Sequence, residues 1–166
     1  MNFQDIKKAL YEKITEYKKE NPLAKDSDFK FKRCQEYLLL LFVPETMKTN
    51  ESRKIVVDKQ FAKFRAEMAY CIAILDTENE KLVQEHTNQF GDSILVYKVN
   101  HWIFPDRFDT NLEQVCTNGL HYFNSLLAAY CYDLLHYVDE PDLYFTFAED
   151  GSMMHVFSHG VCKFHF

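Results

Sequence analysis

Residues 104–132 read FPDRFDTNLEQVCTNGLHYFNSLLAAYCY, and the order of events within them decides the fold. A Pro-Asp turn opens the stretch, and a polar loop runs from Asp106 to Asn118. Gly119 then launches a short apolar burst, Leu120-His121-Tyr122-Phe123. Asn124 or Ser125 supplies an oxygen able to cap a helix, and Leu126, Leu127, Ala129, Tyr130, Leu134 and Leu135 follow at helical spacing. The order is turn, loop, strand, helix. It predicts a helix over 125–137 laid on one face of a sheet.

Upstream of that stretch, Asn2 is positioned to cap a helix with an apolar stripe of Phe3, Ile6, Leu10, Ile14 and Tyr17. That helix must stop before Pro22, whose ring disfavours helical geometry in the residue ahead of it. Asp26-Ser27-Asp28 is a second cap signal. Phe31, Cys34, Tyr37, Leu38, Leu41 and Phe42 then match helical spacing up to Pro44, so the spacing predicts a second helix and a helical part over 1–44. Lys54 to Val57 reads as a short strand or a lead-in, and Phe61 with Phe64 as a short helical turn.

From Met68 the period changes. Met68 to Leu75 is a continuous apolar run before Asp76-Thr77-Glu78-Asn79, which predicts a buried strand and a hairpin turn. Residues 82–86 return along it, and further strands lie at 94–99 and 101–104. Downstream of Pro141, aromatic runs at 144–147, 153–157 and 161–166 are separated by Asp150-Gly151 and His159-Gly160. Glycine accepts positive φ, so these dipeptides mark hairpins and predict a three-stranded meander. The expectation is α+β: a helical N-terminal layer on a mostly antiparallel sheet, one long helix after the Gly-Leu-His strand, and the meander. One domain over 1–166 is expected, with a helical part (1–44), a central core (53–138) and the meander (142–166).

The 166 residues are 47% hydrophobic and 16% aromatic, with four glycines and four prolines, enough for a core without staples. A formal charge of −6 opposes non-specific nucleic-acid binding, which needs a basic face. Cys34, Cys71, Cys116, Cys131 and Cys162 are odd in number and mostly set in apolar runs, the pattern of reduced, buried thiols. No apolar run approaches the length of a membrane span, and the N-terminus lacks the apolar core of a signal peptide. A cytosolic protein is expected.

Several short stretches resemble a domain of unknown function in large DNA viruses of amoebae (mimivirus-type), where it often precedes pentapeptide or MORN-like repeats. They are Lys63-Phe64-Arg65, Ile72-Ala73-Ile74, Pro105-Asp106 with Phe108-Asp109, and above all Cys116-x-x-Gly119-Leu120-His121-Tyr122-Phe123 followed by Ala129-Tyr130. Phage proteins with a Cys-x-x-Gly-Leu-His motif look like distant relatives. The resemblance spans roughly 60–135, and the tail is similar to one degenerate MORN-like unit through Gly151 and Gly160. It implies a viral origin and action inside the host cell, and it implies no activity.

Three groups of residues carry potential chemistry. Cys116 and His121 flank the Gly119 hinge. A thiolate nucleophile needs an imidazolium or a helix N-terminus close by, whereas the plainer reading has Cys116 packed and His121 fixing the loop through one hydrogen bond. His155, His159, Cys162 and His165 offer zinc-ligand types, although strand alternation does not bring them reliably to one face. Finally, Gly119 to Cys131 is similar to the strand-helix unit of ADP-ribosyltransferases. That likeness implies NAD as cofactor, Tyr122 stacked on nicotinamide, Arg65 or His101 on the ribose or phosphate, and Glu149 acting on the acceptor, with His121 beside them. The leading expectation is different: a non-enzymatic viral accessory protein, without cofactor or metal, that binds a host or viral protein in the host cytoplasm and is able to form a homodimer. The amphipathic first helix and an exposed strand edge are its natural docking surfaces.

Overall fold

The computed structural model describes residues 1–54, 56, 59, 62–90, 93–115 and 117–132, together with the backbone of strands at 144–147, 153–157 and 160–163. The chain is α+β and divides into two compact units, Met1–Leu134 and Leu135–Phe166.

In the first unit a mostly antiparallel sheet carries the core. Its strands are β1 (Phe29–Cys34), β2 (Tyr37–Phe42), β3 (Lys63–Ala66), β4 (Ala69–Asp76), β5 (Lys81–Val83), β8 (His101–Ile103) and β9 (Leu120–Phe123). They run in the order β3-β9-β1-β2-β4-β5, and β8 also pairs with β4. A separate hairpin joins β6 (Glu85–Phe90) to β7 (Ser93–Lys98).

Helix α1 (Phe3–Glu20) forms as expected: Asn2 Oδ1 accepts from the Asp5 N–H at 3.0 Å, and the helix ends one residue before Asn21-Pro22. Its buried stripe of Ile6, Leu10 and Ile14 packs on Phe29, Phe31, Leu38, Leu40, Ala73 and Leu75. Helix α2 (Leu126–Tyr132) covers the same core through Leu126, Ala128 and Ala129. Ser125 is its cap, its Oγ accepting from the Ala128 N–H at 3.1 Å. The opposite face packs a second core of Leu39, Leu41, Cys71, Ile74, Phe64, Leu120 and Tyr122, to which the hairpin adds Tyr97 and the half-buried Leu95.

The helix expected over 31–44 is instead the β1–β2 hairpin, in register from Phe29↔Phe42 to Cys34↔Tyr37. The physical reason is that helical spacing and a doubly buried strand look alike in a short apolar run. Leu38, Leu39, Leu40 and Leu41 are all fully buried because β2 lies between β1 and β4 with a core on each face. The two residues at 35–36 suffice to turn the chain because Gln35 takes φ 54°, in the left-handed region. Phe64, expected on a helical turn, lies in β3. Every strand expected between 68 and 123 is present within a few residues of its expected bounds.

In the second unit, β10 (Tyr144–Phe147), β11 (Met153–Phe157) and β12 (Gly160–Lys163) form the expected meander in the order β10-β11-β12.

Candidate functional site

Gly119 fixes where the residues of the central stretch go. Its φ of +140° is one that side chains rarely adopt, and a Cβ there would stand 3.2 Å from Arg65 Cβ and 3.2 Å from Phe108 Cδ2. The loop ahead of it therefore folds tightly over β3, and β9 pairs with β3 as Lys63↔Phe123, Phe64↔Tyr122, Arg65↔His121 and Ala66↔Leu120.

Arg65 is fully buried, and every N–H of its guanidinium is spent on that loop. Nε donates to Gln114 O (3.1 Å), Nη1 to Asp109 O and Asn118 O (both 2.9 Å), and Nη2 to Asn111 O and Gln114 O (both 2.8 Å). Phe108 lies under its cation, 5.4 Å from ring centroid to Cζ. Asn50, also fully buried, completes the floor. Its Oδ1 accepts from the Arg65 N–H at 2.7 Å, and its Nδ2 donates to Leu112 O and Gln114 O at 3.3 Å. Burial lowers the pKa of Arg65, partly offset by the Asp109 carboxylate. Asp109 stays ionised below the usual carboxylate range because the Asn111 N–H and Thr117 hydroxyl donate to it.

On the other side of β9, Tyr122 donates its hydroxyl to Glu51 Oε1 at 2.7 Å. Lys30, on β1, donates to the same oxygen and to Asn124 Oδ1, each at 2.7 Å, and its ammonium sits 5.4 Å from the Tyr122 ring centroid. Burial first, then the Glu51 carboxylate, pushes the Tyr122 phenol well above its ordinary range, so it remains a neutral donor. His121 places Nε2 3.2 Å from Val115 O. A carbonyl only accepts, so Nε2 carries the proton and Nδ1 is the bare nitrogen. Burial, followed by the nearby cations Lys32, Lys63 and Arg65, drives the His121 pKa down to about 4, so the ring is neutral at physiological pH.

The structure thus brings Arg65 and His121 together beside Gly119, with Phe123 buried in the α1 core next to them and Tyr122 on the other side of β9. It leaves them little to offer a ligand. The Tyr122 ring is 0% exposed, so no face is open to a nicotinamide, and Arg65 has no free donor for a phosphate. His101 lies on β8, at the far end of the strand order from β3, with Nδ1 2.9 Å from its near neighbour Val99 O. Cys116, Glu149, His159 and His165 lie outside the described residues. His155 and Cys162 are Cα partners in the β11–β12 register. Among the described residues no group of three or more His, Cys, Asp or Glu is placed to hold a metal ion.

Sequence reasoning missed Asn50, Glu51, Lys30 and Asn124, which hold the cluster together. One signal was present: Phe29-Lys30-Phe31-Lys32 alternates at the period of a strand with its lysines on one face.

The model of a family of unknown function (DUF5758) matches residues 11–129, well over half of the chain. The chain belongs to that family. The matched stretch begins inside α1 and ends inside α2, so it spans the whole main sheet, the β6–β7 hairpin and the Arg65 loop, and it stops short of the meander. No curated protein and no solved structure matches the chain. Among the described residues no helix is long and apolar enough to cross a membrane.

Proposed function

We propose that the chain is a non-enzymatic protein-interaction module that docks through the β6–β7 hairpin and the adjoining β8 strand. The observation that carries this reading is the apolar surface left open there. Ile94 is 57% exposed, Val96 46%, Trp102 40% and Phe104 60%, whereas Tyr122 and Arg65, the residues best suited to chemistry, are sealed. Ile94 and Val96 alternate along β7 on the side away from the buried Tyr97, so they share one outward strip. Exposed apolar strips of this kind mark interaction sites.

A second copy of the chain is one occupant of that strip. The resemblance to domains of amoebal giant viruses supports the further reading of a viral accessory protein acting in the host cytoplasm on a host or viral protein.

Light scattering on the full chain tests the docking reading. The expected mass is that of two chains, falling to one in Ile94→Asp/Val96→Asp. A monomer indifferent to that double substitution, with a melting point that rises with added NAD, overturns the reading in favour of a nucleotide-dependent enzyme.

A further inference from the structure

The β6–β7 hairpin is anchored through one face only. His86 and Tyr97 are Cα partners on the inner side, where Tyr97 is fully buried and His86 stacks on Tyr37 of β2, 4.1 Å between ring centroids. Leu95 packs into the same core, and the Val99 N–H closes the base of the hairpin on Gln84 O at 2.9 Å. Strand alternation turns every second residue outward. These are Glu85, Thr87 and Gln89 on β6 and Lys98, Val96 and Ile94 on β7, and all six are exposed. The register sets them in three rows across the hairpin, Glu85↔Lys98, Thr87↔Val96 and Gln89↔Ile94.

Charge and symmetry together make this face complementary to itself. Glu85 and Lys98 are cross-strand partners of opposite sign, yet neither forms an ion pair among the described residues. One uncommitted charge of each sign therefore stands in the same row, beside the exposed Val96 and Ile94. A two-fold axis parallel to the strands lays β6 of one copy over β7 of the other and keeps the rows level. In a two-fold interface residue i contacts j and j contacts i, so Glu85 meets the partner's Lys98 at two equivalent places. Thr87 covers the partner's Val96, and the apolar side chains of the two copies meet diagonally across the axis. An axis across the strands would instead press Lys98 on the partner's Ile94 and bury an unpaired ammonium, which is costly. Stacked sheets lie about 10 Å apart with strands aligned to within about 30°, the arrangement the parallel axis produces.

We propose that two copies of the chain pair face to face through this hairpin, about a two-fold axis parallel to β6 and β7, with Glu85 of each paired to Lys98 of the other. The proposal rests on the docking reading above and names its occupant and its geometry. The face is small beside the roughly 20–30 residues a side of a stable interface, so the dimer is weak and concentration-dependent. Its own charges sum to zero, so the chain's formal charge of −6 repels a second copy only at long range, where salt screens it.

Light scattering of the full chain over a range of concentrations tests the pairing by charge exchange. Lys98→Glu alone and Glu85→Lys alone each set like charges against one another at both contacts, and each should weaken dimerisation about tenfold. An equimolar mixture of the two variants opposes unlike charges again at both contacts, and should bring the dissociation constant back to within about twofold of the wild type. The like-charge neighbours created inside each chain persist in the mixture, so recovery there reports contact between chains alone. Single variants that dimerise like the wild type, or a mixture as weak as the single variants, overturn the pairing. So does a wild-type chain that stays monomeric at every concentration. If the charge variants change nothing while Ile94→Asp/Val96→Asp still dissociates the dimer, the docking reading stands and this arrangement alone is wrong. The docking reading itself falls only on an indifferent monomer whose melting point rises with NAD.

Discussion

The two faces of the main sheet solve burial in different ways. Under α1 and α2 the core is built from Ile6, Leu10, Phe29, Phe31, Leu38, Leu40 and their neighbours, with no charged group among them. The opposite face buries Lys30 and Arg53 beside Phe64 and Tyr122, and the β3 edge buries Arg65 and Asn50 under the 109–118 loop. The first face is held by non-directional apolar burial, and the second by donors and acceptors that must each find a partner. An apolar face tolerates repacking, whereas a buried polar network is costly as soon as one member is lost.

The largest expected loss is at Arg65. Arg65→Ala should destabilise the chain by about 4 kcal/mol in chemical denaturation, because it strands the carbonyls of the 109–118 loop. Arg65→Lys should recover only a minor part, since an ammonium has three donors and no planar fork. On the apolar face, Leu10→Ala should cost about 3 kcal/mol through lost burial and a cavity. A loss at Arg65 no larger than this would erase the distinction between apolar burial and the buried polar network.

A pH titration sharpens it further. The folded pKa of His121, about 4, lies below its unfolded value near 6.5, so between those values the unfolded chain takes up a proton that the folded one refuses. Stability should therefore be full above about pH 6.5 and fall as pH drops towards 4, by at most about 3 kcal/mol from this group. His86 is lowered by burial too and acts in the same direction. His121→Gln should flatten part of the slope, and an unchanged slope would remove His121 from the cluster. The smallest effect belongs to the α2 cap, where Ser125→Ala should cost about 1 kcal/mol by melting.

The same contrast explains what the sequence disclosed. The α1 stripe, the Ser125 cap, β9 and the meander rest on local signals, a period, a cap oxygen or an Asp-Gly pair, and were legible. The first hairpin was not, because a strand buried on both faces has no alternation to read, and Leu38 to Leu41 satisfied helical spacing equally well. Arg65, His121 and Tyr122 stood out as chemistry-bearing residues, but their role depends on partners remote in sequence. Lys30 meets Asn124, and Asn50 meets Gln114, and no local pattern announces either contact. A saturated guanidinium and a ligand-binding one read identically until the carbonyls around it are known.

That saturation can be measured directly as hydrogen exchange of the Arg65 Nε–H, observed by nitrogen-15 NMR after transfer into deuterated water. The Gln114 carbonyl accepts this proton within a closed loop, so its signal should persist long after that of the exposed Arg107 has vanished. Loss of both signals at the same rate would show an open loop and a guanidinium free to bind, and would contradict the account.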